Sequence, residues 1–393
     1  MNILMVNVPF SGHVNPTLPL AKELVARGHN VSYILTNEWK ERIEATGAKF
    51  IPYDGNADFK IEFQNGKPKH FFHAVKAWKY AYQTIVSVGK EYDLLIYEFF
   101  TFVAFAAAKK IGIKVVRQFS TFAINNENIN SILVSNNREI KLLNNKLFLK
   151  LITKLVCGRI KLATSDIISE MLSVPVELNI VYTVREFQSN STSFDESYIF
   201  VGPSIEERKC DTAIPYDRME KNIIYISMGT LQNDQLNFYK NCIQAFGNRE
   251  GLSVIMSIGN NIHCQELGDI PENFYVYSFV PQLEVLKHSK IFISHGGMNS
   301  INEGLYYQNR FVVIPMDMDQ YAVAQRIQEL NLGYLLNKSD VTPELLWTKI
   351  KALLENTEME QNVKSMSRIM QASKGARTAA DSIEEYYNRS IER

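Results

Sequence analysis

Apolar residues along this chain fall into short continuous runs, separated by stretches in which they recur every three or four positions. Residues 2–9 form the first run. Leu18, Leu20, Leu24 and Val25 then follow at helical spacing, and residues 31–35 are apolar again. Such runs, rich in β-branched residues, predict buried parallel strands, and the periodic stretches predict amphipathic helices packed on them. Gly28 is the expected stop of the first helix. The rhythm continues through predicted strands at 93–97, 180–182 and 198–200. It resumes with strands at 223–226, 254–258, 273–277, 291–294 and 311–315. Predicted helices cover 234–246, a segment starting near Ile301, one capped by Thr342 with Pro343 at its first position, and 379–387. Residues 201–204 break the pattern. Residues 205–221 are charged, carry Pro215 and show no period, which predicts a linker. The chain therefore reads as two α/β halves built from strand–helix–strand units.

The length of 393 residues suits two ordinary domains, and 46% apolar content can fill their cores. Lys and Arg number 42, as do Asp and Glu, so no charge surplus points to nucleic acid and no acidic tail to disorder. Cys157, Cys210, Cys242 and Cys264 are scattered without CxxC spacing, as expected of reduced thiols in the cytoplasm. The first apolar run is too short for a signal sequence, and no stretch is long and uncharged enough to span a membrane. The Asn-x-Ser/Thr glycosylation patterns at Asn190 and Asn388 are accordingly read as chance. The segment 119–150 is dense in asparagine and is expected to be a solvated loop leading into a polar helix. Phe59, Phe63, Phe71, Phe72, Trp78, Tyr80 and Tyr82 crowd another segment, either as core or in part as the lining of an apolar pocket.

Three turns carry candidate chemistry. Residues 10–16 read Phe-Ser-Gly-His-Val-Asn-Pro between the first strand and helix. Residues 227–230 read Ser-Met-Gly-Thr, and residues 295–300 read His-Gly-Gly-Met-Asn-Ser. Each lies where a strand passes into a helix, and a helix start offers bare N–H groups to an anion. There is no Gly-x-Gly-x-x-Gly at the first turn and no Walker A pattern, so neither a dinucleotide fingerprint nor a P-loop is present. His13 is by itself either a turn histidine or a general base. Glu98, at the end of strand 93–97, is either a surface residue or a carboxylate able to orient a histidine.

Residues 279–320 combine Phe-Val-Pro-Gln, His-Gly-Gly-Met-Asn-Ser-Ile-Asn-Glu and Asp319-Gln320. This stretch resembles the signature of the UDP-glycosyltransferase superfamily, in the bacterial branch that includes macrolide and flavonoid glycosyltransferases. The Gly-His-Val-Asn-Pro turn and the 227–230 turn match too, so the likeness spans nearly the whole chain. It implies the GT-B fold, two Rossmann-like domains facing across a cleft. Residues 1–203 would bind the acceptor, 204–221 would link, 222–375 would bind the UDP-sugar, and 376–393 would form a helix crossing back.

The resemblance implies an inverting transfer of a hexose, glucose by the terminal Gln320, onto a hydroxyl of an aromatic or macrolide-like acceptor. His13 would be the base and Glu98 its carboxylate partner, where the family usually has Asp. Gly12, Gly229, Thr230, His295, Gly297, Asn299 and Ser300 would face the diphosphate. Phe279, often Trp in the family, would stack on uracil and Val280 read its edge. Gln282 and Glu303 would hold the ribose, and Asp319 and Gln320 the sugar. No metal or resident cofactor is implied, UDP-glucose being a co-substrate. Asp317 is read as incidental and His288 as structural. A UDP-sugar 2-epimerase and a non-catalytic sugar-nucleotide-binding protein are the alternatives.

Overall fold

A computed structural model of the chain describes residues 1–53, 63–64, 67–68, 71–129, 145–206, 208, 210, 212–230, 233–316 and 318–392. Contacts divide it into unit 1, Met1–Ile205 with Ser373–Arg393, and unit 2, Glu206–Ala372.

Unit 1 carries a seven-stranded parallel sheet. Its strands are β1 (Asn2–Val6), β2 (Asn30–Leu35), β3 (Lys49–Pro52), β4 (Leu94–Glu98), β5 (Lys114–Phe119), β6 (Asn179–Val181) and β7 (Tyr198–Phe200), in the order β3-β2-β1-β4-β5-β6-β7. The apolar runs are buried on both faces, as a doubly wound sheet requires: Ile3, Leu4, Met5, Val6, Leu94, Leu95 and Ile96 are fully inaccessible. Helix α1 (Leu18–Ala26) follows β1. Helices α2 (Phe71–Val88) and α3 (Val103–Ile111) pack together, and α4 (Lys146–Cys157) lies near α2.

Unit 2 repeats the plan with six parallel strands: β8 (Asn222–Ser227), β9 (Leu252–Ser257), β10 (Phe274–Tyr277), β11 (Ile291–Ser294), β12 (Arg310–Val313) and β13 (Gly333–Leu335), ordered β10-β9-β8-β11-β12-β13. Its helices include α5 (Leu236–Phe246) and, carrying candidate site residues, α6 (Gln282–His288), α7 (Met298–Tyr306) and α8 (Met318–Glu329). Helix α9 (Pro343–Glu355) begins as expected, the Thr342 side chain accepting from Leu345 N.

In both sheets the strand order reverses beside the first strand, between β1 and β4 and between β8 and β11. Loops leaving neighbouring strands there diverge to opposite faces and leave a crevice at the carboxyl ends.

Two boundaries differ from the sequence expectation. Helix α7 starts at Met298, three residues before Ile301, so Asn299 and Ser300 lie in its first turn. Residues 206–221 group with unit 2. Tyr216 stacks on His288 at 4.0 Å, and Glu220 N donates to Ser253 Oγ at 2.9 Å. These partners are distant in sequence, so no local period announces them.

The final helix, α11 (Ala376–Ile391), follows α10 (Thr357–Ala372) and buries Ala379, Ala380 and Ile383 in the core of unit 1. Arg27 holds Asp381 and Glu384 at 2.7 and 2.8 Å, and His29 Nε2 stands 2.8 Å from Glu384. Trp78, Tyr80 and Tyr82 pack partly buried against the same core. Phe59 lies outside the described residues, as do the side chains of Phe63, Phe71 and Phe72.

Candidate active site

In unit 1, the loop after β1 winds at once into a short helical turn, Ser11–Val14, and then a 3-10 turn, Asn15–Thr17. Asn7, fully buried at the end of β1, fixes that turn. Its side-chain amide donates to the His13 carbonyl at 3.0 Å and to Tyr33 Oη at 3.0 Å, and its backbone carbonyl accepts from Tyr53 Oη. Thr17 Oγ1 stands 2.6 Å from the Tyr33 hydroxyl and closes the cluster. Burial pushes the Tyr33 phenol up to about 12, so it remains a neutral hydrogen-bonding group.

The His13 side chain is 23% exposed and meets Glu98, which is fully buried at the end of β4. Nδ1 stands 3.0 Å from Glu98 Oε1 and 2.7 Å from Ser120 Oγ. Ser120 Oγ also donates to Glu98 Oε1 at 2.9 Å, and Phe100 N donates to Oε2 at 2.8 Å. A carboxylate oxygen this close requires a proton on Nδ1, because two lone pairs would otherwise oppose each other. The favoured neutral tautomer therefore leaves Nε2 as the basic nitrogen. Phe10 and Phe100 flank the ring edge-on at 5.9 and 5.2 Å. A Cβ on Gly12 would meet nothing within 4 Å among the described residues, so they leave space open beside this turn.

In unit 2, β8 and β11 pair with Ser227 opposite Ser294, bringing the loops after both strands together. Gly229, with φ +78°, lies against the His295 ring. A Cβ there would come within 2.6 Å of His295 Cε1, and one on Gly297 within 2.6 Å of Nε2. Only glycine admits the imidazole between these backbones. Burial pushes the ring's pKa down to about 4, so His295 is neutral at pH 7, and its Nδ1 has no hydrogen-bond partner among the described residues. Helix α7 is preceded by Gly297 at its N-cap, with no side-chain cap and no acidic residue in its first turn. Its first N–H groups and positive dipole end thus meet the loop that carries His295. Thr230 stands exposed beyond Gly229.

A second cluster gathers around Glu303, which is buried in α7. Gln282, the first residue of α6, donates through Nε2 to Glu303 Oε2 at 2.6 Å and lies 3.4 Å from Ser300 Oγ. Tyr225 Oη donates to Gln282 Oε1 at 3.1 Å, and Arg208 forms an ion pair with Glu303. Phe279 is 47% exposed, and its carbonyl accepts from Thr212 Oγ1 at 3.0 Å. Val280 is half-buried beside it. Asp319 lies in the first turn of α8, and Gln320 Oε1 accepts from Met316 N at 2.8 Å. Asp317 lies outside the described residues. His288 ends α6, stacked on Tyr216.

The structure thus brings together His13 with Glu98, Gly229 and Gly297 with His295, and Gln282 with Ser300 and Glu303. Asn7, Ser120, Arg208 and Tyr225 join these groups without having been singled out in the sequence. Asn7 carried a signal, as a polar residue inside the apolar run 2–9. Ser120 and Arg208 carried none, since each reaches its partner through the fold alone.

The glycosyltransferase family 28 N-terminal domain model matches residues 11–117, and the family 28 C-terminal domain model matches residues 223–383. The chain is 33% identical over 397 residues to the uncharacterized UDP-glucosyltransferase YojK of Bacillus subtilis (strain 168), covering 97% of this chain and 96% of that one. It is 33% identical over 394 residues to the NDP-glycosyltransferase YjiC of the same strain, covering 99% and 98%. Among solved structures it is similar to the glycotransferase of kitacinnamycin, with a TM-score of 0.82 and 26% identity over 98% of both chains. The chain therefore belongs to the UDP-glycosyltransferase superfamily, has the GT-B fold, and is a glycosyltransferase.

Proposed function

We propose that the protein transfers a hexose, glucose, from UDP-glucose to a hydroxyl of a small aromatic or macrolide-like acceptor, with inversion at C1. The observation that carries this reading is the His13–Glu98 contact at the strand-order reversal of unit 1. It joins a partly exposed imidazole to a fully buried carboxylate.

The acceptor O–H gives its proton to His13 Nε2 as its oxygen attacks C1. The C1–O bond to the β-phosphate breaks, and the electron pair leaves on UDP. Glu98 holds the ring in the competent tautomer and stabilises the imidazolium as it forms. Ser120 donates to the same carboxylate oxygen and narrows the positions the ring can take.

On the donor side, the α7 N–H groups, Asn299, Ser300, Thr230 and the neutral His295 face the diphosphate. Such preorganised dipoles stabilise the departing charge without having to reorient. Gly12, Gly229 and Gly297 leave room for backbone approach. Phe279 stacks on uracil with Val280 at its edge, Gln282 and Glu303 hold the ribose, and Asp319 and Gln320 the sugar hydroxyls. Arg208, paired with Glu303, sits at the ribose end. This division of labour assigns no step to a metal or a resident cofactor. The similarity to a protein named as a UDP-glucosyltransferase supports the donor class.

UDP release from UDP-glucose is the test, run in EDTA with and without a flavonol such as quercetin. Release that depends on the acceptor, with a β-glucoside as product, is expected. Conversion of UDP-N-acetylglucosamine without acceptor would instead identify an epimerase. Tight UDP binding with no turnover over a broad acceptor panel would identify a binding protein.

A further inference from the structure

Helix α4 of unit 1 presents an outward face that stays exposed among the described residues. Ile152, Val156 and Cys157 turn toward the core of unit 1. On the other side Leu147, Leu151 and Leu155 stand 80%, 65% and 51% exposed. Four large apolar side chains are more than half exposed among the described residues, and these three of them share one stripe of one helix. Spaced four apart, they form a row about 12 Å long. Lys146, Lys150 and Lys154 form a second exposed row, each one position before a leucine.

The lysines do not serve the helix. Lys146 and Lys150 lie toward its N-terminal half, where positive charge opposes the helix dipole, and its first turn has no acidic residue. Lysines four apart repel rather than pair. From residue 140 to residue 165 there is no Asp or Glu, while Lys141, Lys146, Lys150, Lys154, Arg159 and Lys161 fall within that span, in a chain of zero net charge. The sequence expectation of a polar helix here is thus only half met, because the exposed face is as apolar as it is basic. Asn145 caps the helix, accepting from Leu147 N and Phe148 N, so the rows are held in register.

We infer that α4 is a membrane-surface helix that docks unit 1 reversibly on an anionic bilayer. The leucine row enters the boundary between headgroups and acyl chains, and the lysines extend their stems to reach lipid phosphates. A second copy of the chain fits less well, since it would bring another lysine row to the same face. The rows are too short to span a bilayer, and no helix among the described residues is long and apolar enough to do so.

The test is co-sedimentation of the full-length chain with vesicles of phosphatidylglycerol and phosphatidylcholine, and with vesicles of phosphatidylcholine alone. Binding to the anionic vesicles, weakened by salt, is expected. A variant with Lys146, Lys150 and Lys154 each changed to Gln loses roughly a hundredfold in partitioning, at about 1 kcal/mol per basic residue near such a surface. A second variant, with Leu147, Leu151 and Leu155 each changed to Ser, loses binding as well. All six positions are exposed, so melting temperature and turnover of a water-soluble acceptor stay unchanged, and should the leucine variant unfold, the lysine variant decides alone. Absence of anionic-vesicle binding by the parent chain overturns the proposal. So does equal binding to neutral vesicles, or unaltered binding by the lysine variant. A concentration-dependent dimer that the leucine variant abolishes, without vesicle binding, overturns it in favour of self-association.

Discussion

Glu98 Oε1 lies 3.0 Å from His13 Nδ1, although the two residues are 85 positions apart and the carboxylate is fully buried. The longer arm of a glutamate spans the gap from the end of β4 to the loop after β1. Ser120, from the end of β5, touches both partners, and Phe100 N holds the second carboxylate oxygen. The orientation of the ring is therefore set by three elements of the sheet.

Replacing Glu98 by Gln keeps a hydrogen-bond acceptor near Nδ1 and removes the charge. Turnover is expected to fall, by less than on loss of His13 itself and more with alkyl alcohols than with phenols, whose protons leave more easily. Ser120→Ala is expected to lower kcat modestly with little effect on KM for UDP-glucose, and Ser120→Thr to restore it. Steady-state kinetics over a series of acceptors of graded acidity checks both. An acceptor profile for Glu98→Gln parallel to that of the parent chain would detach Glu98 from the proton transfer.

Glu303 accepts from Gln282 and pairs with Arg208. If it holds the ribose, Glu303→Gln weakens UDP and uridine by the same factor, roughly ten- to hundredfold for a charged hydrogen bond. Ser300→Ala, in the first turn of α7, should weaken UDP and leave uridine nearly unchanged. Calorimetric titration with the two ligands separates the roles. A Glu303→Gln variant that binds uridine normally would remove the ribose assignment.

His295 makes stability depend on pH. Burial pushes its pKa down to about 4, against 6.5 for an unperturbed histidine. As pH falls below about 6.5 the unfolded chain takes up this proton and the folded chain does not. Unfolding is thereby favoured, by up to roughly 3 kcal/mol near pH 4. Above about 6.5 the histidine is neutral in both states and adds no pH dependence. Denaturant melts at pH 7 and pH 5 should show a smaller loss for His295→Asn than for the parent chain, and equal losses would contradict the burial argument.

The last helix belongs energetically to unit 1. Ile383 is fully buried there, and its truncation in Ile383→Ala is expected to cost about 2–5 kcal/mol. The unfolding transition of unit 1 should shift while uridine binding by unit 2 persists in the folded chain. An unchanged unfolding profile would show that α11 is dispensable.

Much of this architecture was legible in the residues, because buried parallel strands must be apolar throughout. The runs at 198–200 and 291–294 coincide with β7 and β11, and those at 223–226 and 311–315 overlap β8 and β12. Thr342 and Pro343 marked the start of α9, where the signal is local. The start of helix α7 is masked in the sequence because Met298, Asn299 and Ser300 look like a turn; its bare N-terminus is set by Gly297 rather than by a capping side chain. The 206–221 segment looked like a linker because its contacts, Tyr216 to His288 and Arg208 to Glu303, are tertiary. For the same reason Ser120 left no trace in sequence, since its neighbour in space is Glu98, 22 residues away. The exposed leucine row of α4 is equally silent in the sequence, because helical spacing does not say which face is covered.

The central claim is that His13 is the base. It is tested most directly by comparing acceptor-dependent UDP release by the parent chain and His13→Ala, with UDP affinity measured on both. The account predicts a loss of roughly 10²–10⁴ in turnover at unchanged UDP affinity. Turnover equal to that of the parent chain, at the same affinity, would contradict it.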